Sequence, residues 1–145
     1  MRHIKTELLT LLRRHDLMRA ALFAGHVQHP TFQDSSYVDK ILEMAAKVWH
    51  RAARSKYDSL KKAEAINYVL FKFYEFHGKS EKYKQVIDDP ERYYLHRVLE
   101  NKIGSPLTLT LIYAIMAEQV GIDYEILALP SYYLIRVKGI SEEVY

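Results

Sequence analysis

The residue best placed for nucleophilic chemistry is Ser105, at the head of the uncharged stretch Gly104–Ala117, GSPLTLTLIYAIMA. A helix N-terminus offers free backbone N–H groups and the positive end of the helix dipole, and both stabilise negative charge. A serine hydroxyl still needs an adjacent base, and no G-x-S-x-G turn surrounds Ser105. The same position suits a plain helix cap, which is the reading preferred for it; a hydrolase using Ser105 is kept as the lesser alternative.

Other candidate groups have equally plain readings. His26 and His29 make an H-x-x-H pair, but the stretch His26–Ser35 (HVQHPTFQDS) reads as a loop, with no further Cys or His close by. Surface histidines fit better than a metal site, whose full ligand set is missing. His3, His15, His50, His77 and His96 follow no zinc spacing, so no metal and no cofactor is expected. Lys40, Lys47, Arg51 and Arg54 share one helical face and could meet phosphates. Glu43 sits among them, so a solvated outer face is the simpler explanation, and nucleic-acid binding is the alternative reading. The 12 tyrosines include Tyr93–Tyr94 and Tyr132–Tyr133, which could stack on bases, yet most fall at apolar positions of expected elements. The carboxylate pairs Asp88–Asp89 and Glu142–Glu143 read as a helix cap and a polar tail, not as an acid–base dyad.

The elements that must position these groups are mainly helical. Ser105 as cap, Pro106 at the first helical position and Gly121 as stop define a central helix over 105–120. Leu107, Leu111, Ala114 and Ile115 would face one way and Leu109, Ile112, Met116 and Val120 another, so this helix should be buried. Earlier, residues 3–14 carry helical spacing, and DLMRAALFAG continues it from Asp16 to an end at Gly25. Ser36 and Asp39 resemble a capping box opening a helix with Val38, Ile41, Leu42, Ala45, Val48, Trp49 and Ala52 as its apolar stripe. Asp58 should cap the next helix, with Leu60, Ala63, Ile66, Leu70 and Phe73 inward and Gly78 beyond its end. A short turn over 80–87 follows, then a helix from Asp89–Pro90 to Gly104 with Tyr94, Leu95, Val98 and Leu99 buried. Tyr124–Leu129 and Tyr132–Val137 are β-rich and separated by Pro130–Ser131, which predicts a hairpin over 124–137. A hairpin alone is unstable in water, so it should pack on the central helix.

Composition bounds the function classes. With 145 residues, 49% apolar and 27% charged, the chain is expected to form one domain, 1–145, with a real core rather than a disordered segment. The net charge of +3 is only mildly basic, and total charge does not reveal a nucleic-acid face. The absence of cysteine from these residues removes disulfides, thiolate metal sites and thiol nucleophiles. The first residues mix charges into their apolar positions, unlike a signal peptide. The uncharged run Ile103–Ala117 is 15 residues long, short of the roughly 20 that span a bilayer. A soluble cytoplasmic protein is expected.

Three segments carry a family resemblance: INYVLF (Ile66–Phe71), ERYYLHRVLENKIGSPLTLTLIYAIMAEQVGI (Glu91–Ile122) and LALPSYYLIRV (Leu127–Val137). Their order and their G-x-P-x-T-L and P-x-x-x-L-I-R patterns resemble the bacterial SirB-type branch of the transglutaminase-like superfamily. About half the chain is covered, with 58–138 as the transglutaminase-like part and 1–57 as a generic helical N-terminal part. In the wider superfamily, the resemblance implies a cysteine nucleophile at the start of the buried helix, a histidine on the following strand and a later acid. Pro106 stands where the cysteine would be, and Tyr132 where that branch has its histidine. Proline has no nucleophilic side-chain atom, and a tyrosine, with an ordinary pKa near 10, is a poor base at neutral pH.

The fold expected is therefore mainly α (α+β): five to seven helices around the central helix, a small C-terminal hairpin, and a truncated transglutaminase-like core. The function expected is non-catalytic: a binding, scaffold or regulatory protein. Ser105, Thr108, Tyr132 and Arg136 are the candidate remnant site, for a small anion or the carboxylate of a protein partner, although Tyr132 filling the old cleft as packing is the reading preferred.

Overall fold

The computed structural model describes residues 17–26, 34–52, 58–78, 93–130 and 132–138. Among them are five α-helices, α1 (Leu17–His26), α2 (Asp34–Ala52), α3 (Ser59–Asn67), α4 (Leu95–Asn101) and α5 (Pro106–Val120), and two strands, β1 (Tyr124–Ala128) and β2 (Tyr133–Val137). The expected helices over 3–14 and 80–87, the Asp89–Pro90 start and the tail lie outside the described residues.

The central helix α5 forms for the local reasons its sequence carries. The Ser105 side chain accepts from the Thr108 N–H, Pro106 occupies the first turn, and Gly121 closes the helix with φ 74°. Ile112, Ala114, Ile115, Met116, Ala117 and Val120 are buried on it, whereas Leu107 stays 42% exposed at the first turn. Around α5 the core joins Leu22 of α1, Ile41, Met44 and Val48 of α2, Ile66 of α3 and Val98 and Leu99 of α4.

Three helix boundaries differ from expectation. Helix α1 runs through Gly25 to His26, and α2 opens at Asp34, two residues before the Ser36 cap. Such ends shift by a residue or two when local capping signals compete. Helix α4 opens after Tyr94, whose backbone is extended (φ −107°, ψ 123°). It ends at Lys102, in the left-handed region at φ 64°, two residues short of the expected Gly104. Gly104 is needed for a different reason: an added Cβ would lie 2.9 Å from Leu109 Cγ and 2.9 Å from Thr108 Oγ1. The chain is pinned there by Gly104 N–H donating to the His77 carbonyl at 3.0 Å, and His77 N–H donating to the Lys102 carbonyl at 2.9 Å.

Two apolar stripes also shift. On α2, Leu42 and Trp49 are 45% and 39% exposed, while Met44 is fully buried. Leu42 and Trp49 each follow a buried residue, Ile41 and Val48, and so lie about 100° around the helix from the core-facing line. Asp58 caps α3 as expected, accepting from the Lys61 N–H at 3.2 Å. Leu60, however, is half-exposed at the first turn. Beyond Asn67 the backbone widens into a π-helical segment, Tyr68–Phe73, closed by Tyr74 N–H donating to the Val69 carbonyl. Each π turn holds an extra residue, and the rotation it adds turns Phe73 out to 56% exposure while Leu70 stays in the core.

The hairpin forms as predicted. Strands β1 and β2 are antiparallel, with Glu125 opposite Arg136 and Ile126 opposite Ile135. Val137 on β2 is part of the core, and α5 supplies Ile112 and Tyr113 to the same cluster. Tyr132 precedes β2 instead of belonging to it; its carbonyl accepts from the Leu129 N–H at 2.9 Å across the turn.

Candidate functional site

At the head of α5, Ser105 and Thr108 are buried, 1% and 2% exposed. Their polar groups are used on one another. Thr108 N–H donates to Ser105 Oγ at 3.2 Å, Ser105 N–H donates to Thr108 Oγ1 at 2.8 Å, and the two hydroxyl oxygens are 3.0 Å apart. Both hydrogen-bond partners of the Ser105 hydroxyl come from Thr108, so the arrangement supplies no base for a serine nucleophile. Pro106 lies beside it on the exposed side of the helix start.

Tyr132 and Arg136 are positioned by the hairpin. Tyr132 is 53% exposed in the turn and does not fill a cleft, contrary to the packing role preferred for it. Arg136 forms an ion pair with Glu125, its cross-strand neighbour, and Lys138 reaches the other oxygen of the same carboxylate at 3.1 Å. Lys138 first, and Arg136 after it, hold the Glu125 carboxyl below the ordinary carboxylate range. Thus the helix start brings Ser105 and Thr108 together, while Tyr132 and Arg136 sit on a separate element.

A groove of about 290 Å³ runs between α3, α5 and β2, and none of those four residues lines it. Its wall includes Ala63, Phe71, Leu109, Tyr113, Tyr133 and Ile135. Tyr113 donates its hydroxyl to the Ala63 carbonyl at 3.4 Å, and burial pushes its pKa up to about 12. This is an apolar, weakly polar-lined space with no acid–base pair.

The basic residues of α2 do not act as one row. Lys40 donates to the Leu99 carbonyl at the end of α4, at 2.9 Å. Lys47 pairs with Glu43 at 3.2 Å, and its ammonium lies 5.4 Å from the Phe73 ring. Arg51 stacks on Tyr68, with Cζ 3.4 Å from the ring centroid. Arg54 lies outside the described residues. A second cleft, about 380 Å³, opens between α2 and the π-helical segment and is lined by Glu43, Lys47, His50, Arg51, Tyr68 and Phe73, among others. The sequence offered no sign of this cleft, since Tyr68 and Phe73 read there as one more turn of a regular helix.

Among the described residues no group of three His, Asp or Glu side chains could hold a metal ion; His29 and the His26 side chain are outside that set. No helix among them is long and apolar enough to cross a membrane.

The chain belongs to the transglutaminase-like superfamily, whose family model matches residues 35–145. It is 34% identical over 73 residues to F-box only protein 21 of Mus musculus, covering 50% of this chain and 11% of that protein. The human F-box only protein 21 is 33% identical over the same length and with the same coverage. A UPF0162 protein of Xylella fastidiosa is 26% identical over 125 residues, covering 83% of this chain and 41% of that protein. The chain thus spans about a tenth of the mammalian relatives and about two-fifths of the bacterial one. No solved structure matches it significantly.

Proposed function

We propose that this transglutaminase-like chain acts as a non-catalytic binding or scaffold domain, related to the SirB-type branch of its superfamily. The observation that carries the reading is the head of α5. Pro106 stands where the resemblance puts the nucleophile, and the neighbouring Ser105 hydroxyl is buried and bonded to Thr108 alone. The 145 residues contain no cysteine, so no thiol within them can take over the role. Tyr132, aligned with the branch's histidine, stands exposed in a turn. Regulation through a bound partner or small anion belongs to this proposal. A bacterial cytoplasmic source does too; the Xylella relative supports the bacterial part, while the mammalian relatives point elsewhere.

The test is direct. The purified chain is incubated with glutamine-donor and amine-acceptor substrates, with activated esters, and with a serine-reactive fluorophosphonate. No turnover above a denatured control and no label on Ser105 are expected. Turnover that a folded Ser105→Ala variant loses would overturn the reading in favour of a hydrolase. Nucleic-acid binding through α2 has weaker support, because Lys40 is engaged with the Leu99 carbonyl and Lys47 with Glu43.

A further inference from the structure

The cleft between α2 and the π-helical segment collects cations and aromatic surface that the helix head does not use. The Arg51 guanidinium lies over the Tyr68 ring, with Cζ 3.4 Å from its centroid. A guanidinium that packs its carbon on a ring face leaves its N–H donors, which lie in the guanidinium's own plane, able to bind a planar or tetrahedral oxyanion. Arg51 has no ion-pair partner among the described residues. Lys47 adds a second cation, held over Phe73, and its Glu43 partner is 66% exposed and displaceable. His50 sits on the same rim. The wall is apolar: Val69 is buried at its base, while Tyr68 and Phe73 leave 36% and 56% of their surface open. Large aromatic side chains left open around paired cations mark a recognition surface more than a solubilising one. A π-helical turn is itself a costly local geometry, and such turns concentrate at functional sites.

We propose that this cleft binds a small oxyanion, carboxylate or phosphate monoester, carried on an aromatic body. The anion sits between Arg51 and Lys47, and the body lies against Tyr68, Val69 and Phe73. The volume of about 380 Å³ suits a small molecule. A nucleic-acid strand needs cations that continue along its backbone, whereas this cleft holds two, Lys47 and Arg51, beside aromatic rings. The proposal stands apart from the head of α5 and holds whether or not the chain catalyses a reaction.

The experiment is an NMR titration of the whole chain with phenyl phosphate and with phenylacetate, which separate the two anion types. Benzyl alcohol serves as the neutral aromatic control and inorganic phosphate as the anion without a body. Saturable shifts at Arg51, Tyr68 and Phe73 are expected for at least one aromatic anion, with both controls at least about tenfold weaker, since either one lacks half the contacts. Arg51→Gln should weaken binding about tenfold, the scale of a charged hydrogen-bonded contact. Glu43→Gln should strengthen it about two- to threefold by freeing Lys47. Arg51 and Glu43 are both on the surface, so the folded spectrum of each variant serves as its own control. Equal binding of benzyl alcohol, an unchanged Arg51→Gln variant, or no saturable shift with either anion overturns the proposal. So does a single-stranded oligonucleotide that binds the same residues more tightly than phenyl phosphate.

Discussion

The Lys62 ammonium reaches from α3 to the last residue of α5 and donates to the Val120 carbonyl at 2.9 Å. Lys62 is 8% exposed, and its charge also lies 5.1 Å from the Trp49 ring. The last carbonyls of a helix have no partner within it, and a cation at that end also meets the negative end of the helix dipole. One side chain therefore joins α3, α2 and the end of the central helix. Lys62→Met keeps most of the apolar stem but leaves the carbonyl unpaired. A loss of about 1–3 kcal/mol is expected in denaturant unfolding; a change below about 0.5 kcal/mol would show that water replaces the ammonium at no cost.

Gly104 makes a sharper prediction about packing. Its backbone angle is not in the left-handed region, so conformational freedom is not what it supplies. The need comes from the 2.9 Å approaches that a Cβ would make to Thr108 Oγ1 and Leu109 Cγ. Thr108 Oγ1 belongs to the capping box of α5, so the clash strikes the cap as well as the core. Gly104→Ala should cost about 1–3 kcal/mol. Gly121→Ala, with open space around it but φ 74°, should cost only about 1 kcal/mol through backbone strain. A reversed order, measured by thermal unfolding of both variants, would sink the packing account.

Much of the fold was legible because its signals are local. Ser105–Pro106 and Gly121 mark both ends of α5, Asp58 caps α3, and the Pro130–Ser131 break between β-rich runs marks the hairpin. The errors occur where tertiary packing decides. Lys102 takes a left-handed position although Gly104 stands two residues away, because Gly104 is reserved for its close contact with α5. The π-helical turn has no composition signature, so the outward turn of Phe73 could not be foreseen. The candidate sites were less legible still. Arg51 could be placed on a helix face, but its stacking on Tyr68 depends on how two helices meet. The same is true of Lys40, whose carbonyl partner is 59 residues away along the chain.

Ser105 can be tested for its structural role separately from chemistry. As the cap of α5 it satisfies the Thr108 N–H in a buried setting. Ser105→Ala should therefore lower stability by about 1–2 kcal/mol. Pro106→Ala, which changes the residue at the first helical position but leaves the hydroxyl cap in place, should cost less than about 1 kcal/mol. If Ser105→Ala unfolds no more easily than the parent chain, the capping box is not what starts the helix.

Lys102 links stability to pH. Burial, and after it the nearby Lys40, push its pKa down to about 8. The Tyr74 and Phe76 rings, 4.7 Å and 4.6 Å from its ammonium, pull the other way by favouring the charged form. With burial dominant, the folded chain releases this proton near pH 8, while the unfolded chain keeps it to about pH 10.4. Between those values the unfolded state binds more protons, so stability rises with pH. Lys102→Met has no such titration and keeps the stem against the rings. Its stability advantage over the parent chain should be largest near pH 7 and shrink towards about pH 9.5. The comparison stays below about pH 10, where tyrosines begin to ionise in the unfolded chain, because Tyr113, pushed up to about 12, then lowers stability in both proteins. Parallel stability curves for the two proteins would mean that the ring contacts offset the burial of Lys102 in full.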